Sequence, residues 1–256
     1  MGVHPLAVVD GKAELGSHVS VGPFAVVEED VVIGSRTEIG SHVLIASGTR
    51  IGEECVIHHG AVLGTVPQDL KFGGEKTTLQ LGDRTVVREY ATMNRGTKHR
   101  TRTVVGSDCL MMAYSHVAHD CIVGNHVIMA NGASLGGHIT LEDFVILSAF
   151  VGVHQFVRIG QHSFVGALYR VPKDVPPFMM AVGEPLRPIG LNTEGLKRRG
   201  FAPETIALLK RAHKLLFRSE LNTSQALSEI RSSLPQTEEI RALLEFIESS
   251  ERGIIK

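Results

Sequence analysis

The sequence predicts an all-β solenoid of short parallel strands followed by a small helical domain. Three observations carry that expectation. An aliphatic residue recurs at a step of six, with three exceptions, from Val3 to Val171. Aromatic residues are only 5% of the chain and there is no Trp. After a run of prolines the apolar spacing becomes helical.

Stepping by six from Val3 meets Val, Ile, Leu or Met everywhere except Asp69, Glu75 and His99. Gly often follows the aliphatic step, and the residue two before it is small or β-branched, as at Ala25, Val31 and Thr37. A period of six is neither helical nor simple alternation. It fits a short strand and a tight turn, with i and i−2 on one face. Gly is expected to take the turn, where a Cβ is costly. One such unit cannot bury its inner face, but stacked coils can, around a narrow core of small aliphatics. That core has no room for Trp. Cys55, Cys109 and Cys121 all fall at i−2 and read as small buried fillers, without CxxC spacing.

Composition narrows the function. The 256 residues suffice for one large domain or two smaller ones. A net charge of −1 points to no nucleic acid and no membrane surface. No signal peptide and no apolar run long enough to span a bilayer is present, so stable membrane insertion is not expected. Reduced cysteines suit a cytoplasmic setting.

Two stretches lose the aliphatic step, at about 65–80 and 94–103, and read as loops leaving the coil. The solenoid is expected over 1–175, and 176–256 as a linker and helical domain. The linker is PKDVPPFMMAVGEP, whose prolines stop the coil. Three helices should follow. Pro203 opens the first, with Ile206, Leu209, Ala212 and Leu216 on one side. Leu227, Ile230 and Leu234 mark the second; Ile240, Leu243, Leu244 and Ile247 mark the third. Lys197, Arg198, Arg199, Lys210, Arg211, Lys214 and Arg218 outnumber Glu194 and Glu204 in this region. The surplus suits an anionic partner or a phosphate, or else a solvated helix face.

The stretch HVAHDC at 116–121 sets two histidines in an apolar, glycine-punctuated run. Strands on adjacent coils stack ~4.8 Å apart, so residues one coil apart are neighbours. His119, His138 and His154 should therefore line one edge, with His116 beside them. None sits at an inward step. The open readings are a proton-transfer site, surface histidines like His18, His42, His126 and His162, or a zinc site.

HVAHDC, QDLK at 68–71, GGH at 136–138, VHQF at 153–156 and NTEGLKRRGF at 192–201 occur together with a helical tail. In this combination the chain resembles the UDP-N-acetylglucosamine O-acyltransferase family of hexapeptide-repeat enzymes. The hexad resemblance covers about residues 3–175, roughly nine coils. It implies a left-handed parallel β-helix, and a homotrimer with sites between subunits. It also implies transfer of a 3-hydroxyacyl chain from acyl carrier protein to a UDP-sugar, at the start of lipid A synthesis.

By the same resemblance His119 is the general base, Asp120 orients it or stabilises its charged form, and the Gly137 amide holds the oxyanion. The Asp120 pairing requires the backbone to turn there, since strand neighbours point opposite ways. Asp69 and Lys71 match sugar contacts; His116, His138, His154 and Gln155 match the pocket around sugar, phosphate and acyl chain. Asn192, Glu194, Arg198 and Arg199 match the nucleotide end. The basic helices would dock the acidic carrier. No cofactor and no metal is implied.

Ala167 stands where the family's chain-length ruler lies and where long-chain members carry Gly, so its methyl points to a shorter acyl chain. Tyr114, Ser148, Ala149 and Phe150 also depart from the expected pattern. They leave open acyl length and the choice between UDP-GlcNAc and its 3-amino analogue. Two alternatives stand beside the transferase: a metal-dependent, carbonic anhydrase-like hydratase on the same fold, and a non-catalytic scaffold.

Overall fold

Two-residue strands joined by tight turns wind a three-walled prism, seen in a computed structural model that describes residues 2–256. The first wall is a nine-stranded sheet from Val8–Val9 to Arg170–Val171. The second has eight strands, from Glu14–Leu15 to Arg158–Ile159. The third has ten, beginning at Ser20–Val21. Pairing within the coil is parallel and advances by eighteen residues, as in Val8 with Val26 and His116 with Ser134. Each wall's inner face is aliphatic: Val31, Ile33, Ala91, Met93, Val117 and Leu135 are all within 1% of full burial.

The register opens where the aliphatic step fails. Val62 pairs with Thr92 and Val104 with Gln80, so chain is looped out in between. The strands themselves extend to Thr65, resume at Thr78, end again at Asn94 and resume at Arg102. The loops are therefore 66–77 and 95–101, slightly shorter than expected. Cys55, Cys109 and Cys121 are free and buried, as fillers should be.

Most glycines that follow an aliphatic step act differently from the sequence expectation, Gly64 (φ 80) being an exception. Gly34 follows an aliphatic step yet its φ is not positive, and the left-handed turn comes two residues later, at Arg36 (φ 61). That conformation recurs at His126, His138, Phe144, Phe156 and His162. Gly is needed at 34 because an added Cβ would lie 2.5 Å from Gly52 C of the next coil. Several left-handed corners carry ring ladders instead. His126 stacks on Phe144 at 4.6 Å, Phe144 on His162 at 4.6 Å, and His138 on Phe156 at 4.5 Å. Stacking of this kind is worth ~0.5–1.5 kcal/mol, comparable to the left-handed penalty of roughly 1–2 kcal/mol.

The proline-rich stretch is not a free linker. Met179–Val182 pairs in parallel with Phe164–Val165 and extends the third wall; Arg187–Leu191 then pairs back antiparallel. Met179 and Ala181 are fully buried, so their apolar side chains close the end of the core. Four helices follow, not three: α1 (Thr193–Arg198), α2 (Pro203–Phe217), α3 (Thr223–Ser233) and α4 (Glu238–Glu248). The extra one, α1, is too short to show an apolar period. The Asn192 side chain caps it by accepting from the Gly195 N–H.

Candidate active site

The first corner, between the first and second walls, holds HVAHDC. Strand His116–Val117 delivers the chain, which then turns through Asp120 with φ 59. This is the backbone turn that a His119–Asp120 pairing requires. The His119 Nδ1 lies 2.8 Å from Asp120 Oδ2. Asp120 is fully buried. The loop at 95–101 folds over it: Thr97 N–H and Arg100 N–H donate to Oδ1 at 3.0 and 3.1 Å, and the Thr97 hydroxyl to Oδ2 at 2.6 Å. Burial alone pushes the Asp120 carboxyl up. The hydrogen bonds from Thr97, His119 and Arg100 outweigh it and hold the group below its usual range. An ionised carboxylate only accepts, so the hydrogen between the two groups belongs to His119 Nδ1. The His119 Nε2 lone pair is left open.

One coil on, Gly137 lies against that ring. An added Cβ there would be 2.7 Å from His119 Nε2, so only Gly lets the imidazole rest on the backbone. Among the described residues nothing accepts from the Gly137 N–H. The ring and this glycine border an open groove of about 570 Å³ shared by Gln68, His116, His154, Gln155 and Arg170.

His138 stands perpendicular to His119, ring centres 5.0 Å apart, with its Nδ1 3.8 Å from Asp120 Oδ2. Burial is the main cause of its depressed pKa, partly opposed by Asp120. His116 bonds the Thr92 hydroxyl at 2.7 Å and is depressed by burial and then by His119. Sequence reasoning missed Thr97 and Arg100, which carry Asp120, and His99, which meets His138 edge-on at 4.7 Å. His99 showed only as a break in the repeat.

The other expected residues are dispersed within one chain. Asp69 and Lys71 sit on the 66–77 loop, where Asp69 accepts from the Lys71 N–H at 3.0 Å; of that motif Gln68 lines the groove. Ala167 is exposed at the third corner, across the first wall from His119. Tyr114 and Phe150 are exposed at that same corner, and Tyr114 stacks on Tyr90. Asn192, Glu194, Arg198 and Arg199 lie beside the second corner. Buried Asn192 donates to the His162 carbonyl at 3.0 Å, and Glu194 pairs with Lys197 at 3.2 Å. Arg199 rests over the Phe144 ring at 5.0 Å, its pKa lowered by burial; Arg198 is exposed. First and second corners are different edges of the prism, so the arginines and His119 do not meet within one chain.

His119, Asp120 and His138 offer ligand atoms within 4.8 Å of one another. This differs from the histidine trio of the zinc reading: His154 Nδ1 instead faces Arg252 and Gln155. Four hydrogen-bond donors already occupy Asp120, about the capacity of a carboxylate, so a cation would have to displace some of them.

Walls and corners together define a hexapeptide-repeat solenoid, the fold class of the transferases to which the chain is similar. The bacterial transferase hexapeptide profile matches residues 12–47, 30–65 and 102–137. The profile for UDP-N-acetylglucosamine O-acyltransferase domain 2 matches 174–255. A curated acyl-[acyl-carrier-protein]–UDP-N-acetylglucosamine O-acyltransferase of Thiobacillus denitrificans is 45% identical, over 99% of both chains. Its counterpart in Xanthomonas oryzae is 49% identical, over 99% of this chain and 97% of the relative. The solved UDP-N-acetylglucosamine acyltransferase of Bacteroides fragilis superposes with TM-score 0.98 at 42% identity, covering 99% of each chain. That of Acinetobacter baumannii gives 0.96 at 40%, with the same coverage. The chain belongs to the acyl-[acyl-carrier-protein]–UDP-N-acetylglucosamine O-acyltransferase family.

Proposed function

We propose that the protein transfers a 3-hydroxyacyl group from acyl carrier protein to the 3-position of UDP-GlcNAc, or of its 3-amino analogue, as the first step of lipid A biosynthesis. The observation that carries this is the Asp120-anchored His119, whose Nε2 is open beside Gly137. His119 Nε2 takes the proton of the acceptor group as its oxygen or nitrogen attacks the thioester carbon. The developing oxyanion accepts from the free Gly137 N–H. The intermediate collapses, the C–S bond breaks, and the proton returns from His119 to the departing sulfur. Asp120 stabilises the imidazolium between the two transfers. No covalent acyl-enzyme is needed.

Asp69, Lys71, His116, His138, His154 and Gln155 bind the sugar and its neighbours in this reading, and Asn192, Glu194, Arg198 and Arg199 bind the nucleotide. The separation of Arg198 and Arg199 from His119 supports a homotrimer in which another subunit supplies the nucleotide end. Ala167, at the far edge of the first wall, would limit acyl length. The basic stretch from Lys197 to Arg218 suits docking of an acidic carrier. Three free cysteines support a cytoplasmic setting, and among the described residues no helix is long and apolar enough to cross a membrane.

The test is His119→Ala assayed for acyl transfer by mass spectrometry. The expected loss is on the order of 10²–10⁴-fold in kcat with an unchanged melting curve. Undiminished transfer would remove His119 as the base. The His119–Asp120–His138 cluster makes metal analysis worthwhile: stoichiometric zinc in the purified protein would favour the hydratase reading instead.

A further inference from the structure

Residues 249–255 run back from α4 onto the coil and clasp it at Asp174. Asp174 N–H donates to the Gly253 carbonyl at 3.1 Å, and Ile255 N–H to the Asp174 carbonyl at 2.9 Å. The Ser250 hydroxyl donates to Asp174 Oδ2 at 2.7 Å. Asp174 is 1% exposed and Ile255 3%, so the clasp is a buried anchor rather than a frayed strand. From it Arg252 reaches toward the groove. Its Nε donates to the Pro172 carbonyl at 3.1 Å, and its Nη2 lies 3.0 Å from His154 Nδ1.

A guanidinium has donors and no lone pair. Its contact with His154 is a hydrogen bond only if Nδ1 is unprotonated, which puts the ring hydrogen on Nε2. The competing partner, the Gln155 carbonyl at 3.1 Å, would need Nδ1–H and would turn that hydrogen toward the arginine. Arg252, held by Pro172 and the clasp, pairs with Nδ1 only in the first of these two states. His119 is the mirror case: Asp120 takes its Nδ1 hydrogen and leaves Nε2 as an acceptor.

We infer that Arg252 is a positioning residue that fixes His154 in the tautomer opposite to that of His119. The groove then presents one imidazole as a proton acceptor and another as an N–H donor. This rests on the acyltransferase reading only for what His154 donates to: a phosphate or carbonyl oxygen of the UDP-sugar. The sequence motifs do not include Arg252, because it comes from a tail remote from the histidine repeat.

The test uses the full-length protein with ¹⁵N-labelled histidine, and the His154 signals assigned by difference from His154→Gln. Nitrogen shifts should show His154 protonated at Nε2 and bare at Nδ1. Arg252→Ala should move the hydrogen to Nδ1, where Gln155 accepts it. Arg252→Lys, which keeps a donor, should retain the original tautomer. In the transfer assay Arg252→Ala should raise KM for the UDP-sugar by about tenfold with kcat within about twofold, the lower end of the effect of removing a partner that orients a metal-bound histidine. A wild-type His154 carrying Nδ1–H overturns the inference, as does an unchanged tautomer in Arg252→Ala. An inverted tautomer with an unchanged KM overturns the positioning role. The tautomer measurement needs no turnover, so a failure of the His119 mechanism is a separate result.

Discussion

Placing one methyl on Gly137 tests the geometry of the His119 site directly. The added carbon would lie 2.6 Å from His119 Cε1, 2.7 Å from Nε2 and 3.2 Å from Nδ1. Carbon pairs settle at about 3.5–4.0 Å, so the imidazole must retreat by about 1 Å. The Gly137 backbone is in no left-handed conformation, and the obstacle is a side chain. The coil should therefore keep its pairing. The ring cannot move that far and keep its 2.8 Å bond to Asp120, which the Thr97 and Arg100 amides hold in place. Misplacement of a catalytic group by about 1 Å costs roughly 10²-fold in rate. That corresponds to about 2.7 kcal/mol of barrier. Gly137→Ala, assayed by acyl transfer beside a thermal melt, should lose about this much kcat with its midpoint nearly unchanged. Full activity would refute the packing of His119 on Gly137. A collapse of the melting transition would show that Gly137 serves the fold.

Other consequences follow from the same structure. Gly34→Ala meets Gly52 backbone at 2.5 Å, far along the coil from His119, so it should cost about 1–3 kcal/mol of stability in a denaturant titration and spare kcat of the folded fraction. His162 is held at about 4 by burial and then by Arg199. Its unfolded counterpart titrates near 6.5, so the unfolded chain takes up the proton first and stability falls as pH drops from 6.5 toward 4. His162→Phe keeps the ring ladder and should flatten that part of the stability-versus-pH curve relative to wild type. Burial pushes the Cys109 and Cys121 thiols up to about 11 and about 12. Both should resist a thiol reagent such as DTNB at neutral pH and react once the protein is denatured; rapid labelling in the native state would contradict the filler role.

The repeat was legible because burial imposes it on every coil. An inward position such as Met93 or Leu135 must be aliphatic whatever lies elsewhere, so the rule is written locally and many times. The loops were legible as breaks in that rule. The role of most post-aliphatic glycines differs from the sequence expectation, since the steric demand at Gly34 comes from Gly52 on the next coil and not from its own torsion. Short helix α1 was hidden for want of an apolar stripe, and the wall-forming Met179–Val182 was obscured by its flanking prolines.

Within the site, HVAHDC drew attention to His119 and its neighbours, but three decisions belong to tertiary structure. Asp120 is anchored by Thr97 and Arg100 from a loop whose composition flagged only an interruption. His154 acquires its partner from Arg252, across the helical region. The arginines of α1 and its cap end on a different edge from His119. By itself the sequence determined the coil, its core and its family, because each repeats or persists in short stretches of chain. Only the folded molecule decided which ring nitrogen carries a hydrogen and which groups share an edge, because those depend on neighbours that no spacing along the chain records.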